Sequence, residues 1–188
     1  MRQQLLGQFV HQKQSTALEL SFNISPQTCK HDWHKNHINS MFMADYAGQV
    51  ATDLNPDLFH QQADLCDTVN FVANELLEQA MLCRDGSTDR EIRLVVRVSD
   101  TNICLYIKNR IDADSIEVLI DKLSTILSGD PAAHYMQHLQ SDQDNPGDDL
   151  RYLSMMVDHK VDVAWKIEHA DNNAKDTWLT TMTRVPIN

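Results

Sequence analysis

The spacing of hydrophobic and polar positions changes several times along the chain, and each change marks an element. In Ser15–Ser25 (STALELSFNIS) the apolar residues Leu18, Leu20, Phe22 and Ile24 fall on alternate positions, the period of a strand. Pro26 closes this run, and the strand is expected at a sheet edge. Residues 28–50 change to helical spacing, with Trp33, His37, Met41, Ala44 and Ala47 or Gly48 on one side. Asn55-Pro56 marks a turn, and a longer helix starts near His60. Its apolar stripe is Leu65, Val69, Val72, Leu76 and Ala80, broadened by Ala73, Leu77 and Met81.

The run Arg84-Asp85-Gly86-Ser87 stops that helix. Two β-rich segments follow, REIRLVVRVSD and NICLYIKNRI, joined near Asp100-Thr101-Asn102 as a hairpin. Asp112–Leu127 reads as a helix capped by Asp112 or Asp114, with Gly129 just past its end. PAAHYMQHLQ forms another short helix, and the polar, acidic stretch Ser141–Asp149 (SDQDNPGDD) is expected to be a mobile loop. A helix over LRYLSMMVDH then leads into the strands VDVAWKIEH and TWLTTMTRVPI. This order predicts an α+β fold, a two-layer α/β sandwich whose mostly antiparallel sheet is covered by helices on one face. Residues 1–17 are expected to be an N-terminal extension, and residues 18–188 a single domain.

Composition narrows the function classes. With 188 residues, 42% of them apolar, the chain can bury one sizeable core. No apolar run is long enough to span a bilayer, and MRQQLLGQFVHQKQ is too weakly apolar for a signal peptide. A cytoplasmic protein is expected. The formal net charge of −11 repels phosphate backbones and anionic lipid, so neither nucleic acid nor membrane is an expected partner. A protein with a basic patch suits that charge better. Cys29, Cys66, Cys83 and Cys104 form no CxxC pair and read as free thiols.

Three constellations could carry chemistry. In CKHDWHKNH, His31, His34 and His37 recur every three residues beside Cys29 and are candidate ligands for zinc or a similar ion. Steps of three turn by about 300°, so the imidazoles drift across the helix face, and a plain helix edge is the competing reading. In FVANELLEQAM, Glu75 and Gln79 lie one turn apart, as do Asn74 and Glu78. A carboxylate and an amide so spaced could position magnesium and a phosphate chain, or simply form the solvated edge of a core helix. In NPGDDLRYLSMM, Gly147 ahead of a helix could offer backbone N–H groups to phosphate. Asp148 and Asp149 favour the helix start but compete with any anion there.

Taken together, these stretches resemble a known family. FVANELLEQAM looks like the N-box helix of the GHKL (histidine-kinase-like) ATPases. DWHKNHINSMFMADY, LYIKNRI, LSGDPAAHYMQHL, YLSMMVDHKVDVAWKIE and TTMTRVPI fall in the order seen in small stand-alone bacterial regulators of that superfamily, which resemble anti-sigma-factor serine kinases and SiaB-like proteins. The resemblance implies a Bergerat-type sandwich with ATP between helices and sheet under a lid. It puts the N-box acid and the magnesium-binding amide on Glu75 and Gln79, and the adenine-contacting acid on Asn109, followed by Arg110 where relatives have glycine. Where close relatives wrap the phosphates with a glycine-leucine-glycine run, this chain has Asp149-Leu150-Arg151, Arg151 being a candidate compensating cation.

The expectation is therefore a partner-switching signalling regulator with a degenerate ATP site that works by protein–protein binding. The resemblance implies a STAS-domain protein, a PP2C-type phosphatase, or an output such as a sigma factor or diguanylate cyclase as partner, and homodimerisation is possible. The alternatives are an active serine kinase using ATP and magnesium, with Glu75 as its catalytic residue, and a metal sensor built on His31, His34 and His37.

Overall fold

In a computed structural model of the protein, which describes residues 2–11, 16–24, 33–82, 92–140, 148–169 and 177–187, six strands join into one sheet. They are β1 (Arg2–Leu6), β2 (Leu18–Ile24), β3 (Ile92–Val98), β4 (Asn102–Ile111), β5 (Asp162–His169) and β6 (Thr177–Pro186). The sheet order is β1-β5-β6-β4-β3-β2, and every pairing is antiparallel. Register follows from alternation. Phe22 opposes Leu94 and Leu94 opposes Ile107, while Leu20, Val96 and Leu105 align in the same way. A slip of one residue would turn all of these away from the core. As expected, β2 is an edge strand, and β3 and β4 are a hairpin closed by Ser99 N–H donating to Asn102 O at 3.0 Å.

The described helices are α1 (Trp33–Leu54), α2 (Gln62–Leu82), α3 (Ile116–Leu127), α4 (Pro131–Gln140) and α5 (Asp148–Val157). The predicted stripe of α2 is its buried face: Val69, Val72, Ala73, Leu76, Leu77 and Ala80 enter the main core with Trp165, Leu105 and Ile107 of the sheet. Burying each large side chain of this kind contributes about 1.5–3 kcal/mol. Where α1 and α2 meet, the chains approach closely: a Cβ on Gly48 would lie 2.3 Å from Cys66 Sγ. Asn55 ends α1 and starts a 3-10 turn over Pro56–Gln61, its side-chain oxygen accepting from Asp57 N–H at 3.3 Å.

Several details differ from the sequence reading. Residues 2–6, set apart as part of an extension, form β1 in the same sheet, beside β5. Gly7, at φ 75°, then turns the chain onto the face of the sheet away from the helices, where Phe9 and Val10 pack on Val95, Cys104, Tyr106, Ala164 and Met182. Met41 is 45% exposed, and Met43 takes the buried position instead. The α3 cap position falls on Ser115, which makes no side-chain cap bond, while Asp112 Oδ1 accepts from Asp114 N–H at 3.2 Å at the start of the short 3-10 turn Ala113–Ser115. Asp148 and Asp149 are helical, and Asp149 lies in the first turn of α5, where a carboxylate complements the helix dipole. The Arg84–Ser87 stop, Gly147, the rest of the predicted mobile loop, Cys29 and Cys83 lie outside the described residues.

Candidate functional site

The site forms where α5 crosses α2. With Val72, Leu76 and Ala80 turned into the core, the helical period leaves Glu75 and Glu78 on the flank of α2, half-buried. On α5, Tyr152, Leu153 and Met155 are buried, and Tyr152 meets Trp165 of β5 edge-on at 5.1 Å. That anchoring points the neighbouring Arg151 back across α2. Its Nη1 donates to Glu75 Oε2 at 3.0 Å and also to Glu78 Oε2. One guanidinium nitrogen thus bridges two carboxylates three residues apart.

The other predicted positions lie around this clasp. Gln79 is buried, at 3% exposure, and lines a pocket of about 160 Å³ with Leu119, Leu123, Lys122, Asp149 and Tyr152. Asp149 lies 3.8 Å from Lys122 Nζ at that pocket. Asn74 turns the other way: it accepts from Ser40 Oγ of α1 at 2.8 Å and donates to Asn70 at 3.4 Å, so the Asn74–Glu78 pair is split. Asn109 is buried on β4, on the same face as Ile107 and Ile111, and its amide donates to Arg110 O at 3.4 Å. The structure therefore brings Glu75, Gln79, Asp149 and Arg151 into one neighbourhood. His31 lies outside the described residues, and His34 and His37 fall in α1 at positions whose side chains are not described. Among the described residues, no three His, Cys, Asp or Glu side chains are placed to hold a metal ion.

Electrostatics here are a contest between burial and pairing. Burial raises the Glu75 pKa above the ordinary glutamate value, Arg151 pulls it back down in part, and Glu78 raises it again. Burial works against the Arg151 charge too, but Glu78 and Glu75 outweigh it and hold the guanidinium above its ordinary value. The Arg151 charge was legible in the sequence. Its second partner, Glu78, and the Lys122–Asp149 pair were not, since both contacts join residues far apart in the chain.

Magnesium and ATP fit this arrangement poorly. The carboxylates that would face a cation already face a guanidinium. Asp149, Leu150 and Arg151 are helical, each with a Cβ, where a phosphate-wrapping backbone needs close approach. Gln79 is buried and its longer amide lines the pocket beside α3 and α5.

These features define a two-layer α/β sandwich with an Arg151–Glu75–Glu78 ion triad where α5 meets α2. No protein-family model and no curated protein matches the chain. A solved structure, the crystal structure of the SiaB–SiaC complex from Pseudomonas aeruginosa, is similar over 89% of this chain and 89% of the matched one, at 14% identity and a TM-score of 0.49. No helix among the described residues is long and apolar enough to cross a membrane.

Proposed function

We propose that the protein is a signalling regulator that acts by binding a protein partner in a partner-switching pathway, and that its nucleotide site is degenerate. The observation that carries this reading is the Arg151 clasp, which commits Glu75 and Glu78 to an internal cation. A carboxylate held in that way is poorly placed to order magnesium or to take a proton. STAS-domain proteins, PP2C-type phosphatases and signalling outputs are the partner classes that the sequence resemblance suggests.

Calorimetric titration with ATP and magnesium tests the reading. No binding up to millimolar nucleotide is expected. Micromolar binding that Glu75→Ala abolishes would overturn it. One observation favours the competing reading, an active serine kinase: a half-buried glutamate with a raised pKa suits a general base. That reading requires the Arg151 clasp to open, so Arg151→Ala should then raise nucleotide affinity, whereas the degenerate-site reading predicts no gain because Gln79 and the helical Asp149–Arg151 segment remain.

A further inference from the structure

The face of the sheet opposite the helices has a charge character unlike that of the whole chain, whose net charge is −11. Alternation along β3, β4 and β5 brings Arg93, Arg97, Lys108 and Lys166 to one groove of about 350 Å³, with Tyr106 and Thr180 also lining it. Among the described residues, two carboxylates pair with these cations. Glu19 Oε2 accepts from Arg97 Nε at 2.7 Å, while Glu168 Oε2 accepts from both Lys108 Nζ at 3.1 Å and Lys166 Nζ at 3.2 Å. Arg93 Nε donates to the neutral Ser21 Oγ at 3.2 Å. Among the described residues, positive charge is therefore in surplus in this groove.

The same face already holds one piece of chain without regular secondary structure. Tyr106 Oη donates to Val10 O at 2.9 Å, and Val10 N–H donates to Met182 Sδ at 3.2 Å. Phe9 packs edge-on to Tyr106, and Lys166 lies over the Phe9 ring at 5.7 Å. Side chains of the sheet thus serve as hydrogen-bond and cation–π partners for a peptide segment lying across them.

We propose that this groove is a docking site for a short acidic segment of a partner protein, whose carboxylates meet the charge left over at Arg93 and at the Lys108–Glu168–Lys166 cluster. A partner that merely complements the whole chain would carry a basic patch; the groove selects the opposite sign. A long polyanion suits it less well, because duplex nucleic acid or an anionic bilayer reaching past the groove meets the negative remainder of the molecule. The proposal deepens the partner-binding reading, but it uses no atom of the Arg151 site, so nucleotide titration and peptide binding fail separately.

The test is fluorescence anisotropy of a labelled peptide of alternating glutamate and serine, titrated with the full chain. Saturable binding that weakens as salt rises is expected. The double variant Arg93→Glu, Lys108→Ala should weaken it by roughly tenfold or more, and the milder Arg93→Ala by less, with thermal melts confirming that each variant is folded. Glu117→Ala, on α3, should leave the affinity unchanged. Absent binding, affinity unchanged in folded Arg93→Ala and the double variant, or tighter binding of duplex RNA or phosphatidylserine vesicles than of the peptide would each overturn the proposal.

Discussion

Arg151 organises the candidate site, because a single side chain serves as counter-ion to two carboxylates. Replacing it by alanine leaves Glu75 and Glu78 half-buried side by side. The expected cost is about 1–2 kcal/mol after allowance for solvent screening, read as a lower melting temperature. Glu78→Gln in that background should recover part of it, since one of the opposed charges is gone. The pH dependence follows from the direction of the Glu75 shift. A folded-state pKa above the ordinary 4.5 means that folding disfavours the carboxylate, so ionised Glu75 subtracts stability above its folded pKa. That penalty disappears as pH falls through the folded pKa. Carbon-detected NMR titration should find Glu75 above the normal glutamate range, and higher still in Arg151→Ala, where the lowering partner is missing. A normal Glu75 titration in both proteins would remove burial as the dominant cause.

At the scale of elements, α1 and α2 meet where Gly48 faces the Cys66 side chain. Gly48→Ala forces its new methyl against Cys66 Sγ and should cost about 1–3 kcal/mol. Cys66→Ala in the same chain removes the obstructing sulfur and should return much of the loss in denaturant unfolding, whereas a loss that persists would place the strain elsewhere. The helix stripe behind this contact was readable because a helical period reports one buried face, and β2 to β6 were readable through alternation or unbroken apolar runs. β1 was not: RQQLL offers two apolar residues, and its pairing partner β5 lies near the far end of the chain. The start of α5 was obscured by Pro146-Gly147, although Asp148-Asp149 is the acidic pair a first turn favours. In the site, the spacing of Glu75 and Gln79 could be read directly. The Arg151–Glu78 contact could not, because no local spacing records which helix crosses another. The basic groove was hidden for a related reason: its cations are ordinary outward residues of separate strands until sheet order aligns them.

At the scale of the whole molecule, the first residues tie together both faces of the sheet. β1 lengthens the sheet beside β5, and Gly7 then directs Phe9 and Val10 over the second apolar cluster, so one segment covers an edge and a face. Tyr106 reports on that cover. Burial, followed by the neighbouring Cys104, pushes its pKa up to about 12 from 10.0, because the phenolate is poorly solvated there. The folded state therefore holds a proton that the unfolded chain releases first: stability from this group is intact below pH 10 and is lost as pH rises toward about 12. Removing residues 1–11 exposes Tyr106 and takes away the packing of Leu6, Phe9 and Val10. Urea unfolding should show a loss of about 2–4 kcal/mol, a sum of several partly buried apolar side chains. Phenolate absorbance, taken as the difference from a Tyr106→Phe protein, should place the tyrosine closer to its ordinary value and narrow the window of alkaline destabilisation. If the truncated protein keeps Tyr106 near 12, the sheet alone buries the phenol and the N-terminal segment is no part of its cover. If the pKa falls as expected, the same segment that shields Tyr106 also forms one wall of the basic groove, and its position sets how much of the groove an acidic partner can reach.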